Sequence, residues 1–169
     1  MKDVFIYDAI RSARTRAKAN GGLHPLTPPE LLKPLYQTLA QRNQLDPALV
    51  SEVILGCVTQ HGEQAGNIAK TSALFAGWPE SVSGLTVHRF CSSSIDAIAL
   101  AGLKVATGQT QAIVAGGVEM EIRQREPATS SPSELADQRI LALKSSVDAL
   151  QDWHVLQLRQ RNRVQAAEP

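Results

Sequence analysis

The stretch that decides how this sequence folds reads Val87-His88-Arg89-Phe90-Cys91-Ser92-Ser93-Ser94-Ile95. The apolar run Leu85-Thr86-Val87 leads into it and predicts a strand. The apolar residues from Ile95 to Val105 predict a helix that follows it, and Gly108 marks the end of that helix. A strand, a turn of small polar residues and a helix in direct succession are typical of an α/β domain.

The same alternation continues on both sides of residues 87–95. The further segments predicted, in chain order, are a strand at Val4–Ile10, a helix that Thr27 can cap, a strand at Val53–Leu55, a helix at Asn67–Phe75 and a strand at Gln111–Ala115. Strands that alternate with helices through short loops predict an α/β fold with a central, mostly parallel sheet flanked by helices. We expect this fold over residues 1–120.

The composition of the chain changes near Met120. All 11 glycines precede it, and the residues beyond it are rich in Arg, Gln, Ser, Leu and Ala. Residues 121–132 are interpreted as a linker because they end in a Ser/Thr/Pro run. Residues 133 to about 164 have helical composition, with apolar residues spaced along one stripe. We therefore predict a divergent tail, helical or unstructured, over 133–169.

Charge and composition exclude several classes of function. The formal net charge is +1 with mixed signs along the chain, and aromatic residues make up 4%, so no nucleic-acid or anionic-membrane partner is expected. No apolar run reaches the ~18 residues of a membrane span. Two cysteines are too few for a secreted disulfide framework, which favours a cytoplasmic location. No cluster has metal-ligand spacing.

Cys91 is the candidate nucleophile. It is predicted to lie at or just before the start of a helix, where the partial positive charge of the helix end stabilises a thiolate. A thiolate there can attack an acyl group, and the neighbouring serines can accept hydrogen bonds from the first helical amides. The alternative is that Cys91 is a small buried apolar residue, which is how we interpret Cys57 at the end of an apolar strand.

Several motifs occur in the order and with the spacing of one family. They are Asp8-Ala9-Ile10-Arg11-Ser12, Glu52-Val53-Ile54-Leu55-Gly56, Gln64-Ala65-Gly66-Asn67-Ile68-Ala69, Arg89-Phe90-Cys91-Ser92-Ser93 and Ala115-Gly116-Gly117-Val118-Glu119-Met120. Together they resemble the N-terminal half of the thiolases, which are CoA-thioester acyltransferases. The resemblance covers about residues 1–120 and does not extend into the tail.

The resemblance implies a two-step acyl transfer. Cys91 would take an acyl group from a 3-ketoacyl-CoA, and coenzyme A would then accept that group. The backbone amide of Cys91 would contribute to an oxyanion hole. No tightly bound cofactor is implied beyond the acyl-CoA and CoA substrates. The partners implied are a second copy of the chain or a full-length thiolase, with Leu85–His88 at the dimer interface.

Two positions near Cys91 depart from the family pattern. His88 stands where the family often has Asn, and Ser94 stands where it often has Gly. We expect a structural role for His88. Ser94 should fit if the helix has already begun there, because a helical residue does not need a positive φ.

The family's second half resembles nothing in this sequence. That half supplies a Gly-His-Pro segment, an Asn-Glu-Ala-Phe segment and a second catalytic Cys in a Gly-rich loop, and none of them occurs here. We therefore expect the chain alone to be inactive or nearly so in full thiolysis. Two alternatives stay open, a non-enzymatic oligomerisation module and the remnant of a truncated gene. The tail could accordingly be a frameshift product or a genuine helix.

Overall fold

Five strands and three α-helices form the fold over the residues described by the computed structural model, which are 2–16, 20–120 and 155–160. In chain order they are β1 (Val4–Ile10), α1 (Pro28–Arg42), β2 (Glu52–Gly56), α2 (Ile68–Phe75), β3 (Ser83–Val87), α3 (Ser93–Ala106), β4 (Ala112–Gly117) and β5 (Val155–Gln160). The strands and helices predicted before Met120 are all present, with ends that differ by one or two residues. No helix within the described ranges is long and apolar enough to cross a membrane.

Side-chain caps start the first two helices. At α1 the Thr27 hydroxyl accepts a hydrogen bond from the Glu30 amide, and the Glu30 carboxylate accepts one from the Thr27 amide. This reciprocal pair satisfies two amides that lack helical partners, so the predicted cap at Thr27 is confirmed. At α2 the Asn67 side chain accepts a hydrogen bond from the Lys70 amide at 3.2 Å.

The sheet has the strand order β1-β5-β4-β2-β3. Strand β2 pairs in parallel with both β3 and β4, whereas β5 pairs antiparallel with both β4 and β1. Strand β1 therefore runs in the same direction as β2, β3 and β4. The predicted mostly parallel sheet is confirmed, with β5 as the strand that runs the other way.

Helices cover both faces of this sheet. The chain crosses from β2 to β3 through α2 and then returns past β2 to β4 through α3, and right-handed crossovers in opposite directions place the two helices on opposite faces. Side chains that alternate along β2 accordingly enter two separate cores. Val53 and Leu55 pack with α1 and α2, whereas Ile54 packs with the alanines of α3.

Residues 155–160 lie within the tail that was predicted to be helical or unstructured, and they form the strand β5 instead. Leu156 and Leu158 alternate there with Gln157 and Arg159, a period of two that suits a strand better than a helix. Strand β5 pairs with β1 on one side and with β4 on the other, so it forms hydrogen bonds with the backbone groups that each of these strands would otherwise leave unpaired on that side. The linker 121–132 and the rest of the predicted tail lie outside the described residues.

Tyr36 joins α1 to α2 in the larger core. Its side chain is fully buried, its hydroxyl lies 2.9 Å from the Ser72 hydroxyl, and its ring centroid lies 5.0 Å from that of Trp78. Burial raises the pKa of Tyr36 well above its usual value, and the hydrogen bond to Ser72 lowers it by a smaller amount.

The N-terminus of α3 approaches β2 so closely that only glycine fits on the strand. A Cβ atom on Gly56 would lie 2.4 Å from both the Ser93 carbonyl carbon and the Ser94 nitrogen, which are backbone atoms. A Cβ atom on Gly117 of β4 would lie 2.9 Å from the Ser94 Cβ. The helix backbone therefore rests directly on β2, and the Ser94 side chain rests on the backbone of β4.

Replacing Tyr36 with Phe should make the protein less sensitive to alkaline pH. Above pH ~10 an unfolded tyrosine loses its proton while the folded Tyr36 keeps it, so the wild-type free energy of unfolding falls by up to ~1.4 kcal/mol per pH unit. Y36F loses about 1 kcal/mol at neutral pH because Ser72 loses a partner. Urea unfolding at pH 7 to 11 measures both effects. An equally steep alkaline decline in both proteins would contradict the prediction.

Gly56→Ala should lower the free energy of unfolding by about 1–3 kcal/mol, because α3 must move away from β2 to admit the methyl group. Gly22→Ala is the matched control. A Cβ atom on Gly22 meets only the Thr15 Cγ2 at 3.7 Å, an ordinary contact, so a change within about 0.5 kcal/mol is expected. Thermal and urea unfolding of the two variants compare them directly, and equal losses would refute the steric argument.

Candidate active site

Three parallel strands end at one edge of the sheet, and the candidate site lies there. Gly56, the last residue of β2, pairs with Val87 at the end of β3 and with Gly117 at the end of β4. The segments that leave these strands are 57–67, 88–92 and 118–120. Ligands of open α/β sheets bind at this carboxyl edge.

Cys91 lies in the segment between β3 and α3. The helix begins at Ser93 with Ser92 as its N-cap, so Cys91 immediately precedes the cap, where the sequence placed it. Its side chain is half-buried, whereas Cys57 is 1% exposed. The two cysteines are not joined in a disulfide bond. Cys91 is therefore the more accessible of the two, at a helix end that favours negative charge.

The serines after Cys91 do not cap the helix as the sequence suggested. Ser92 has φ −96° and ψ 0°, outside the extended region usual for an N-cap, and it makes no side-chain cap bond. The Ser93 hydroxyl instead accepts a hydrogen bond from the Arg89 amide at 2.8 Å and donates one to the Phe90 carbonyl at 2.6 Å. These serines stabilise the preceding turn and leave the first helical amides to other acceptors.

Phe90, the residue before Cys91, adopts a left-handed backbone conformation with φ 48°. That conformation costs a side-chain-bearing residue about 1–2 kcal/mol. It is closed by two backbone bonds, from the Ser92 amide to the Arg89 carbonyl at 3.1 Å and from the Ser93 amide to the Phe90 carbonyl at 3.0 Å. An aromatic residue gives no sequence signal for a positive φ, so this feature escaped prediction.

Arg89 spans the turn on its outer side. Its Nε lies 2.9 Å from an Asp96 carboxylate oxygen, and its Nη2 donates to the Ser92 hydroxyl at 3.1 Å. The Arg89 side chain is 69% exposed, so solvent weakens this ion pair to about 0–1 kcal/mol. The pair neutralises the acidic residue in the first turn of α3.

The two positions that depart from the family pattern have ordinary surroundings. Ser94 lies inside α3 and is buried, so the expectation that it needs no positive φ is confirmed. Its hydroxyl occupies the space that a side chain on Gly117 would need. His88 is exposed and packs edge to face on Phe90, with the ring centroids 5.0 Å apart.

Glu119 organises the other two segments at this edge. Its carboxylate accepts hydrogen bonds from the Val58 amide at 2.8 Å, from the Thr59 amide at 3.3 Å and from the Gln64 side chain at 3.2 Å. The fully buried Gln64 also donates to the Thr59 carbonyl and accepts from the Met120 amide at 2.7 Å. This network escaped prediction, although the motif Gly116-Gly117-Val118-Glu119 gave a signal for it.

Comparisons with known proteins match the chain to one family. The model of the thiolase N-terminal domain matches residues 4–154. The chain is 43% identical over 120 residues to the steroid 3-ketoacyl-CoA thiolase FadA6 of Mycobacterium tuberculosis, and 42% identical over 118 residues to a 3-ketoacyl-CoA thiolase of Acinetobacter baumannii. These matches cover 70% of this chain but 29% and 30% of those relatives.

A solved structure agrees with the sequence relatives. The acetyl-CoA acetyltransferase of Bacillus anthracis superposes with a TM-score of 0.64 at 42% identity, over 70% of this chain and 29% of that one. The chain thus spans less than a third of the length of these relatives. The α/β fold, the motif order and the domain match agree, and they show that this chain belongs to the thiolase family, whose N-terminal domain it matches.

Proposed function

We propose that Cys91 is the nucleophile of a thiolase-type acyl transfer. The observation that carries the proposal is the half-buried thiol one residue before the N-cap of α3, in a chain of this family. The Cys91 thiolate attacks the 3-keto carbon of a 3-ketoacyl-CoA. The bond between C2 and C3 breaks, the electron pair leaves with C2, and protonation of C2 releases acetyl-CoA. The acyl group remains on Cys91 as a thioester.

The second step returns the free enzyme. The thiol of coenzyme A loses its proton and attacks the thioester carbonyl, a shortened acyl-CoA leaves, and Cys91 regains a thiolate. Negative charge develops on the substrate oxygen in both steps, and a backbone amide aimed at it lowers the barrier. The Ser92 and Ser93 amides are engaged within the turn, so the proposal assigns this donor role to the Cys91 amide.

Proton transfer limits what this sequence achieves by itself. None of its four histidines, His24, His61, His88 and His154, lies in a Gly-His-Pro segment. A missing general acid or base costs ~10²–10⁴ in rate. Both steps need a proton transfer, at C2 in the first step and at the CoA thiol in the second, so we infer that this chain by itself performs both of them slowly. We propose the reducing cytoplasm as the location of the reaction, since two cysteines are too few for a secreted disulfide framework.

Incubation with acetoacetyl-CoA should produce an acetyl adduct on Cys91, because the first step leaves the acyl group of the substrate on that thiol. Intact-protein mass spectrometry followed by peptide mapping measures the adduct and its position. Cys91→Ala should abolish it, whereas Cys57→Ala should retain it because Cys57 is buried. An adduct confined to Cys57, or none on folded protein, would refute the role of Cys91.

An oligomerisation module is the second candidate function. Strand β3 is at an edge of the sheet as described, with Leu85 and Val87 half-buried. Phe90, three residues after β3, and Ile95, in the first turn of α3, add two large apolar side chains that are 57% and 67% exposed. An open edge strand next to such residues can pair with a second copy of the chain or with a full-length thiolase.

Ile95→Lys should weaken this association at least tenfold, because a charge at the contact must be desolvated. Sedimentation analysis across a concentration series measures the self-association constant. Leu49→Lys is the matched control, since Leu49 is 59% exposed but follows α1, away from β3 in the chain. A wild-type chain that stays monomeric, alone and mixed with a full-length thiolase, would contradict this candidate.

A further inference from the structure

We propose that Ser93 is a positioning residue that sets the orientation of the Cys91 amide and thiol by holding Phe90 in its left-handed conformation. The inference rests on the proposed role of Cys91 as nucleophile. Ser93 would not touch the substrate, but it would determine whether residues 88–92, the turn that carries Cys91, keep their conformation.

The conformation of Phe90 needs an external support. Among the described residues only Gln44 and Phe90 combine a side chain with a positive φ. The Phe90 ring is 57% exposed and contacts the exposed His88, so burial in the core does not compensate for the backbone strain. Polar contacts to the backbone around Phe90 must therefore supply the compensation.

Ser93 supplies those contacts from a fixed position. Its side chain is 2% exposed, and its hydroxyl bonds to the Arg89 amide at 2.8 Å and the Phe90 carbonyl at 2.6 Å. One hydroxyl thus forms hydrogen bonds to the backbone of both residue 89 and residue 90. Ser93 cannot drift, because its backbone and Cβ lie against Gly56 at the end of β2.

The hydrogen bonds from Ser93 act directly on the peptide unit of Cys91. The Phe90 carbonyl and the Cys91 amide belong to one peptide unit, and a trans peptide is planar with its C=O and N–H pointing in opposite directions. Two hydrogen bonds from Ser93, through its hydroxyl and its amide, fix that carbonyl. They consequently fix the direction of the Cys91 N–H, the group proposed to stabilise the substrate oxygen.

Alkylation of Cys91 by iodoacetamide at neutral pH tests the inference. Ser93→Ala should slow it at least about tenfold, because the variant loses both hydrogen bonds of the Ser93 hydroxyl that hold the turn. Ser92→Ala is the matched control, because the Ser92 hydroxyl accepts a hydrogen bond from the exposed Arg89 side chain and does not hold the backbone of the turn. The alkylation rate of Cys91 in this variant should stay within about twofold of the wild-type rate. Peptide mapping separates Cys91 from Cys57.

A second background separates positioning from packing. Glycine adopts a positive φ without strain, so the same Ser93→Ala change in the Phe90→Gly background should cost less than about threefold. A loss that is equal in both backgrounds, or absent in the wild-type background, overturns the inference. The acetyl adduct on the wild-type chain is scored separately, so a failure of the proposed function is distinguishable from a failure of Ser93.

The wild-type chain provides a measurement that does not depend on folding of the variants. The Arg89 amide lies in an exposed turn, and Ser93 holds it by a hydrogen bond. Hydrogen exchange should therefore show protection of the Arg89 amide well above that of an unstructured peptide. Exchange at the rate of an unstructured peptide would mean that the hydrogen bond from the Arg89 amide to the Ser93 hydroxyl does not form, and would overturn the inference.

Discussion

The backbone of β2 lies directly against the backbone of the first turn of α3, and the backbone of β4 lies against the Ser94 side chain of the same turn. Gly56 and Gly117 make this approach possible, since a Cβ atom on either residue would meet Ser93 or Ser94 at less than 3 Å. The same two glycines pair with each other across the sheet. The helix start, the turn that carries Cys91 and the ends of two strands thereby form one rigid unit, and the geometry of the candidate site depends on it.

Glu119 extends that unit to the remaining segments of the edge. A carboxylate that accepts backbone amides forms charge-assisted hydrogen bonds, which are stronger than neutral ones. Its partners, Val58 and Thr59, directly follow Cys57, while Val118 beside it donates to the Gly56 carbonyl at 3.0 Å. The segments after β2 and β4 are therefore locked together on one side, and the Cys91 turn rests on the other.

Local sequence patterns predicted most of the fold before Met120 because each element there carries its own signals. The Thr27 cap, the short apolar run of β2 and the apolar run of α3 are all local, and they agree with the tertiary structure. The position of Cys91 followed from the same signals. The role of Ser93 did not, because a serine before a helix normally predicts a cap, and only the conformation of Phe90 redirects its hydroxyl. Strand β5 was missed because its partners are distant in the chain: β1 lies more than a hundred residues earlier, and β4 lies about forty residues earlier.

The first turn of α3 contains an acid, Asp96, which is paired with a base, Arg89, in the segment that carries Cys91. Asp96 in that turn stabilises the helix by opposing the partial positive charge of its amides, which by itself would reduce the field available to a thiolate. The ion pair with Arg89 offsets the carboxylate charge within 3 Å. The pair contributes little to stability because it is exposed, yet it leaves no net side-chain charge from these two residues. The amides at the start of α3 then remain the partial positive charge beside Cys91, and their influence falls off within one turn of the helix.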